Sequence, residues 1–406
     1  MTAAHDTEQA PVTLAGLDAG SLRRLPGHPA AFAGPGALGR LPEVLAALGA
    51  RRVLVVHGGD AFRRCGAEAE VDALKNRMTV ARFGGVRPNP DLATVEAAVA
   101  AAREFSPNAV VGIGGGSSLD VAKSVAALYG QSATVYQCLR DPTLLKSRDG
   151  CALVLLPTTS GSGSELTGFA TVYVGEEKHS LDNPVLRSDV ALVDPGLTAS
   201  LPGPTAVASA LDALSQAIES YWATAATADS RQLAQGALEE LFPALSQVTD
   251  QRSFTDPHVR ERLAVGAALS GAAINRTRTT AAHALSYGLT ARLGITHGVA
   301  VALHLRWLLG HNAAARPDDC RHPDGPERLR RLVADVQEHS LRETGSRVEP
   351  LLEQLLALGG HPRALADLSL SPRTWAPILD RSLDSARAGN NPRQVTTGDV
   401  LAALGT

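Results

Sequence analysis

Three short runs of unbroken apolar residues, each halted by glycines or small hydroxyl residues, constrain this chain more than any other feature. Val53-Leu54-Val55-Val56 gives way to Gly58-Gly59, and Ala109-Val110-Val111-Gly112-Ile113 runs into further glycines. Ala152-Leu153-Val154-Leu155-Leu156 ends at Pro157 and a Thr/Ser-rich turn. A strand with one wet face alternates apolar and polar residues, so unbroken runs predict strands buried on both faces. That means a parallel sheet covered by helices. The stretches Leu92 to Phe105 and Leu119 to Leu128 read as the helices between them.

Past Asp194-Pro195 the pattern changes. Val207 to Ala223, Arg231 to Leu245, Val259 to Ile274, His283 to Leu293, Val299 to Leu309 and Pro326 to Val336 all read as helices. Leu329, Leu332, Val333 and Val336 have the i, i+3, i+4, i+7 spacing of one buried face. The expectation is α/β followed by all-α: a loose arm over 1–28, a Rossmann-like half over 29–197 and a helical half over 198–406. A length of 406 residues suits two domains. With 41 acidic against 38 basic residues, no cationic excess points to a nucleic-acid partner. No apolar run approaches the roughly 18 residues of a membrane span. The N-terminus lacks a secretory pattern, and the four scattered cysteines form no disulfide-rich spacing. These features predict a soluble, cytoplasmic protein with neither nucleic acid nor membrane as partner.

Gly112-Ile113-Gly114-Gly115-Gly116-Ser117-Ser118-Leu119-Asp120-Val121-Ala122-Lys123 follows an apolar strand and opens a helix. Glycines let the backbone approach a ligand closely, and the free N–H groups of a helix start favour a pyrophosphate. A tight strand-to-helix turn without a ligand would look similar. No Gly-Lys-Ser/Thr closes the run, which excludes a Walker A loop. A second turn, Pro157-Thr158-Thr159-Ser160-Gly161-Ser162-Gly163-Ser164-Glu165, offers short donors at the same carboxyl edge of the sheet. In open parallel sheets ligands bind at that edge, so the pair of turns favours a dinucleotide site.

In the helical half, Asp212 and Gln216 lie one helical turn apart, and His283 and His297 follow. Together they would offer two oxygens and two nitrogens to a divalent ion such as Fe²⁺ or Zn²⁺. By themselves, such residues also serve as helix caps or satisfied core polar groups.

Taken together, Gly-Gly-Gly-Ser-x-x-Asp-x-Ala-Lys (114–123), Pro-Thr-Thr-Ser-Gly-Ser-Gly-Ser-Glu (157–165), Val-Asp-Pro-x-Leu-Thr (193–198), Asp-Ala-Leu-x-x-Ala-Ile-Glu (212–219) and His-Gly (297–298) resemble the iron-containing, group III alcohol dehydrogenases. The segment Phe83 to Pro90 resembles the family's stretch ahead of the glycine turn. The resemblance implies a nicotinamide cofactor, NADH or NADPH, and a metal between the two halves. Carried over by position, Gly115, Gly116, Ser117 and Asp120 would hold the pyrophosphate, and Thr158, Thr159, Ser162, Thr167 and Lys178 the rest of the cofactor. Asp212, His283 and His297 match three of the family's metal ligands. Gln216 stands where the second is usually His, and an amide oxygen is a poorer ligand than imidazole for a borderline ion. Tyr287 stands where many members carry another His. It can donate a proton, but an ordinary pKa of about 10 makes it a poor base at neutral pH.

The segments 212–222, 273–287 and Asn390-Asn391-Pro392-Arg393 resemble one branch, the phosphonoacetaldehyde reductases. That branch implies reduction of phosphonoacetaldehyde to 2-hydroxyethylphosphonate in phosphonate natural-product pathways. A phosphonate needs cationic, preferably bidentate donors. Arg276, Arg278 and Arg393 are the candidates, Arg278 foremost, with Tyr287 a candidate proton donor. Gly58 occupies the position where members that prefer NAD carry an Asp for the ribose 2′-hydroxyl. Without that carboxylate a 2′-phosphate is tolerated, so NADPH is expected to serve. Other readings on the same scaffold are reduction of phosphonopyruvate or another small aldehyde or ketone, a dehydroquinate-synthase-like lyase, and a non-catalytic relative. A homodimer is also compatible with the sequence.

Overall fold

The computed structural model describes residues 22–404 except 149, 176, 371–374, 376–378, 380 and 381. The chain opens with β1 (Arg23–Arg24), β2 (Ala31–Ala33) and α1 (Leu41–Ala47), followed by β3 (Arg52–Gly58), α2 (Asp60–Arg64), α3 (Ala67–Leu74) and β4 (Thr79–Val86). Then come α4 (Leu92–Phe105), β5 (Ala109–Gly114), α5 (Gly116–Leu128), α6 (Val135–Arg140) and β6 (Ala152–Pro157). A separate antiparallel hairpin, β7 (Phe169–Val174) and β8 (Glu177–Asp182), precedes β9 (Val190–Val193).

The main sheet runs in the order β1-β2-β9-β6-β5-β3-β4, parallel throughout apart from the β1–β2 pair. The unbroken apolar strands follow from its two covered faces. Leu54, Val56, Val110, Leu153 and Leu155 pack with α4 and α5 on one side. Val53, Val55, Val111, Ile113, Val154 and Leu156 pack with α1, α2 and α3 on the other. From β3 the chain goes outward to β4 and returns to the opposite side of β3 as β5. That reversal opens a crevice at the carboxyl ends of β3 and β5, where the glycine turn lies.

The segment 22–28 is not a loose arm. Leu25 is buried, β1 pairs with β2, and the His28 ring hydrogen-bonds the Ser188 carbonyl at 2.9 Å. Apolar side chains and backbone pairing anchor this stretch, while the remainder of the expected arm lies outside the described residues.

The second half contains α7 (Gly203–Trp222), α8 (Ala228–Ser246), α9 (Pro257–Thr277), α10 (Ala281–Leu293), α11 (His297–Ala313), α12 (Gly325–Thr344) and α13 (Val348–Leu358). Their core reaches into the sheet half through Ala31, Ala33, Ala191 and Val193. The two halves also meet without side chains. Gly163, at φ +59°, faces Gly271 of α9 so closely that a Cβ on Gly163 would lie 2.4 Å from the Gly271 Cα. Among the described residues no helix is long and apolar enough to cross a membrane.

Candidate active site

A cavity of about 280 Å³ opens between the halves, lined from both sides. On the sheet side, Gly115 caps α5 in an extended conformation and Gly116 begins the helix, so the first amides of α5 face the cavity. A Cβ on Gly116 would lie 2.6 Å from Ser162 Oγ, which accounts for the missing side chain where the two turns meet. The open helix start and the contact between turns fit a dinucleotide phosphate. Ser117 lines the cavity and its Oγ accepts the Asn89 N–H at 3.2 Å.

Asp120 lines the cavity, but its carboxylate is engaged within the protein. Its carboxylate accepts Ser164 Oγ at 2.6 Å and the Thr171 N–H at 2.9 Å, and a carboxylate would repel a pyrophosphate. Its work is to tie α5 to the second turn and to β7. Lys123, fully buried, joins in by donating to Ser164 Oγ at 2.6 Å, Thr167 Oγ1 at 2.8 Å and the Phe169 carbonyl at 3.0 Å. Burial drives its ammonium pKa down, and Asp120 opposes the shift. Thr167 lines the cavity with its hydroxyl already engaged, whereas Thr159 and Ser162 line it nearby. Thr158 is buried beneath, its N–H on the Gly114 carbonyl, and is not a lining residue. Gly58 also lies outside the lining, at the carboxyl end of β3 beside Ser118. The nearby Asp60 is exposed and paired with Arg63 at 2.6 Å.

On the helical side, α7, α10 and α11 bring Asp212, His283 and His297 together, with one ligand atom of each within 4.8 Å of the others. His283 Nε2 is 3.3 Å and His297 Nε2 3.9 Å from Asp212 Oδ1. Two ligands about 2.1 Å from one tetrahedral ion would stand roughly 3.4 Å apart, so the spacing fits a divalent metal. The hydrogen bonding fits as well. His283 Nδ1 is held by Glu219 Oε2, so a neutral ring turns its Nε2 lone pair toward the Asp212 carboxylate. Facing acceptors need a cation between them. With no metal, a proton takes that role: burial disfavours the charged ring, but Glu219 and Asp212 prevail and push the His283 pKa up to about 9. His297 goes the other way, to about 3, through burial and the Lys178 charge. Gln216 lines the same wall a turn after Asp212, its amide oxygen accepting Ser270 Oγ at 3.1 Å.

Glu219 had no assigned role in the sequence reading. Completely buried, it accepts Thr280 Oγ1 at 2.6 Å and the Ala282 N–H at 2.9 Å, thereby seating the start of α10 while it orients His283. Asp212, Gln216 and Glu219, the only acids and amide on this helix, form an i, i+4, i+7 stripe, and that pattern was the available signal.

The cationic candidates separate. Arg278 lines the cavity, but Arg276 points elsewhere and pairs with Asp229 at 3.2 Å. Arg393 is also away from the cavity, held by Asp319 at 2.8 Å and the His311 carbonyl at 2.6 Å. Arg387, which sequence reasoning passed over, is in the lining instead. Tyr287 lies there too, its ring stacked 6.0 Å from His297 and 4.0 Å from Lys178 Nζ.

A family profile for iron-containing alcohol dehydrogenase matches residues 29–195, and the C-terminal profile of the Fe-containing alcohol dehydrogenase family matches 206–406. The chain is 33% identical to Long-chain-alcohol dehydrogenase 1 of Geobacillus thermodenitrificans, over 72% of this chain and 74% of that one. It is 32% identical to the Phosphonoacetaldehyde reductase of Streptomyces viridochromogenes, over 88% and 90%. Among solved structures it resembles the sulfoacetaldehyde reductase of Bifidobacterium kashiwanohense in complex with NAD⁺, with a TM-score of 0.78, 26% identity, and 93% and 97% of the two chains covered. The chain belongs to the iron-containing alcohol dehydrogenase family. It is accordingly an enzyme, an NAD(P)-dependent alcohol dehydrogenase or aldehyde reductase.

Proposed function

We propose that this enzyme reduces phosphonoacetaldehyde to 2-hydroxyethylphosphonate, as a step of phosphonate natural-product biosynthesis. The observation that carries the reading is the charge of the cavity wall. Beside Asp212, His283 and His297 stand the cationic side chains of Lys178 and Arg387, suited to a small aldehyde with an anionic end, with Arg278 also in the lining but paired with Asp182. The similarity to a protein named for phosphonoacetaldehyde supports it, as does the similarity to one named for sulfoacetaldehyde, another aldehyde bearing a tetrahedral oxyanion.

When bound, a divalent ion such as Fe²⁺ or Zn²⁺ supplies a Lewis acid for the carbonyl, and the reduced nicotinamide supplies hydride. The chain does the rest. Asp212, His283 and His297 define where the carbonyl oxygen lies, and Glu219 keeps the His283 ring from turning. Two groups can hold the proton that the alkoxide needs. Burial raises the Tyr287 pKa, so its hydroxyl keeps its proton. Burial and the Arg387 charge push the Lys178 pKa down to about 7, within reach of neutral pH. With no carboxylate at Gly58 to repel a 2′-phosphate, NADPH is accepted as well as NADH.

The test is cofactor oxidation followed by absorbance, comparing phosphonoacetaldehyde with propionaldehyde, NADPH with NADH, and chelator-treated with untreated enzyme. We expect phosphonoacetaldehyde to be favoured in kcat/KM by about 100-fold, the worth of two charge-assisted contacts, with activity lost on chelation. Equal turnover of the two aldehydes, or turnover of neither, overturns the substrate.

A further inference from the structure

The three cations of the cavity are differently placed to meet an anion. The guanidinium of Arg278 is committed: it ion-pairs with Asp182, donates to the Asn275 carbonyl at 3.0 Å and lies 4.8 Å over the Phe169 ring. Lys178 sits against the face of Tyr287, and the nearby charge of Arg387 works against its own. Arg387 lines the cavity with its guanidinium 5.5 Å from the Tyr287 ring centre. Among the described residues no carboxylate or carbonyl takes its N–H groups.

Its position is fixed from behind. Arg387 belongs to the short helix Ala386–Gly389, followed directly by Asn390. The buried Asn390 side chain accepts Thr224 Oγ1 at 2.8 Å and the Ala225 N–H at 3.0 Å. It donates to the Thr277 carbonyl at 2.8 Å and the Thr279 carbonyl at 3.0 Å. Those two carbonyls flank Arg278, which has φ 63° and ψ 180°, a conformation that costs any residue but glycine. The helix carrying Arg387 is therefore clipped to the turn between α9 and α10. An unpaired, planar guanidinium is held at the cavity beside a second cation it repels. A tetrahedral oxyanion placed between them would relieve that repulsion and fill the fork.

We propose that Arg387 recognises the anionic end of the substrate, a phosphonate or similar tetrahedral oxyanion, and so determines which aldehydes the enzyme selects. The assignment rests on the preceding reading of an anionic aldehyde as substrate.

The probe is ethylphosphonate, which has the anion but no aldehyde, competing with propionaldehyde in the complete enzyme with NADPH. The parent should be inhibited competitively. In Arg387→Met the inhibition constant should rise about 10- to 100-fold, and the preference for phosphonoacetaldehyde over propionaldehyde should fall by the same factor. Arg387→Lys, with charge but no fork, should fall between the two. Thermal melts with and without ethylphosphonate read the same binding without turnover and confirm folding. Failure of ethylphosphonate to bind the parent overturns the assignment, as does an Arg387→Met constant within about threefold of the parent's. The two readings fail separately. If ethylphosphonate binds through Arg387 but phosphonoacetaldehyde is reduced no better than propionaldehyde, only the substrate falls. If the parent prefers phosphonoacetaldehyde and Arg387→Met keeps that preference, only the assignment of Arg387 falls.

Discussion

On the sheet side, the lining includes two turns, Gly115–Ser117 and Thr159–Ser164, each contiguous in the chain and each following a buried strand. On the helical side the facing groups are Asp212, His283, His297 and Arg387, spread over nearly half the sequence. The first wall depends on local backbone geometry, because amides at a helix start need only glycine and a strand before them. The second depends on side chains converging from separate helices, so each group needs a neighbour to aim it: Glu219 for His283, Asn390 for the helix of Arg387.

The largest effect should come from the helical wall. His297→Ala removes one of three convergent donors, and kcat/KM should fall on the order of 10³-fold. Cofactor affinity, read by nicotinamide fluorescence, should barely change. If cofactor binding falls in proportion, the two walls are not separable. The converse probe is Gly116→Ala, whose Cβ would lie 2.6 Å from Ser162 Oγ. Cofactor affinity should drop about 10-fold, while metal content, measured by elemental analysis, stays at the parent level. Loss of metal would contradict the comparison.

The smallest effect concerns a residue in neither wall. His28 Nδ1 accepts the Ala30 N–H at 3.1 Å, and burial, then Arg187, pushes its pKa down to about 4. Between that value and the unfolded 6.5, the unfolded chain binds the extra proton, so stability rises with pH across this window and is lost on acidification. The contribution approaches about 1.4 kcal/mol per pH unit. His28→Asn keeps an acceptor but does not titrate, so its denaturation midpoint should fall less between pH 6.5 and 4.5. Identical slopes would show that His28 carries no linkage.

What could be read in the sequence follows the same division. The helix Leu92–Phe105 and the strands β3, β5 and β6 were legible because burial on both faces writes a simple pattern. The edge strand β4, with half-exposed Ala81, Arg82 and Phe83 and two glycines, has no such pattern. The β7–β8 hairpin that delivers Lys178 is similarly mixed. The family motifs pointed to Asp212, His283 and His297. The choice among arginines could not be made locally: Arg393 sits in the motif itself yet is neutralised by Asp319, while Arg387, six residues earlier, faces the cavity because of hydrogen bonds to residues more than a hundred positions away.

The meeting of Gly163 with Gly271 has a mechanical consequence. Domains that slide do so through small readjustments of interdigitated side chains; Ala31, Ala33, Ala191 and Val193 pack across the joint in that way, but at this one contact there are none. Backbone pressed on backbone permits rotation about the contact but resists shear along it.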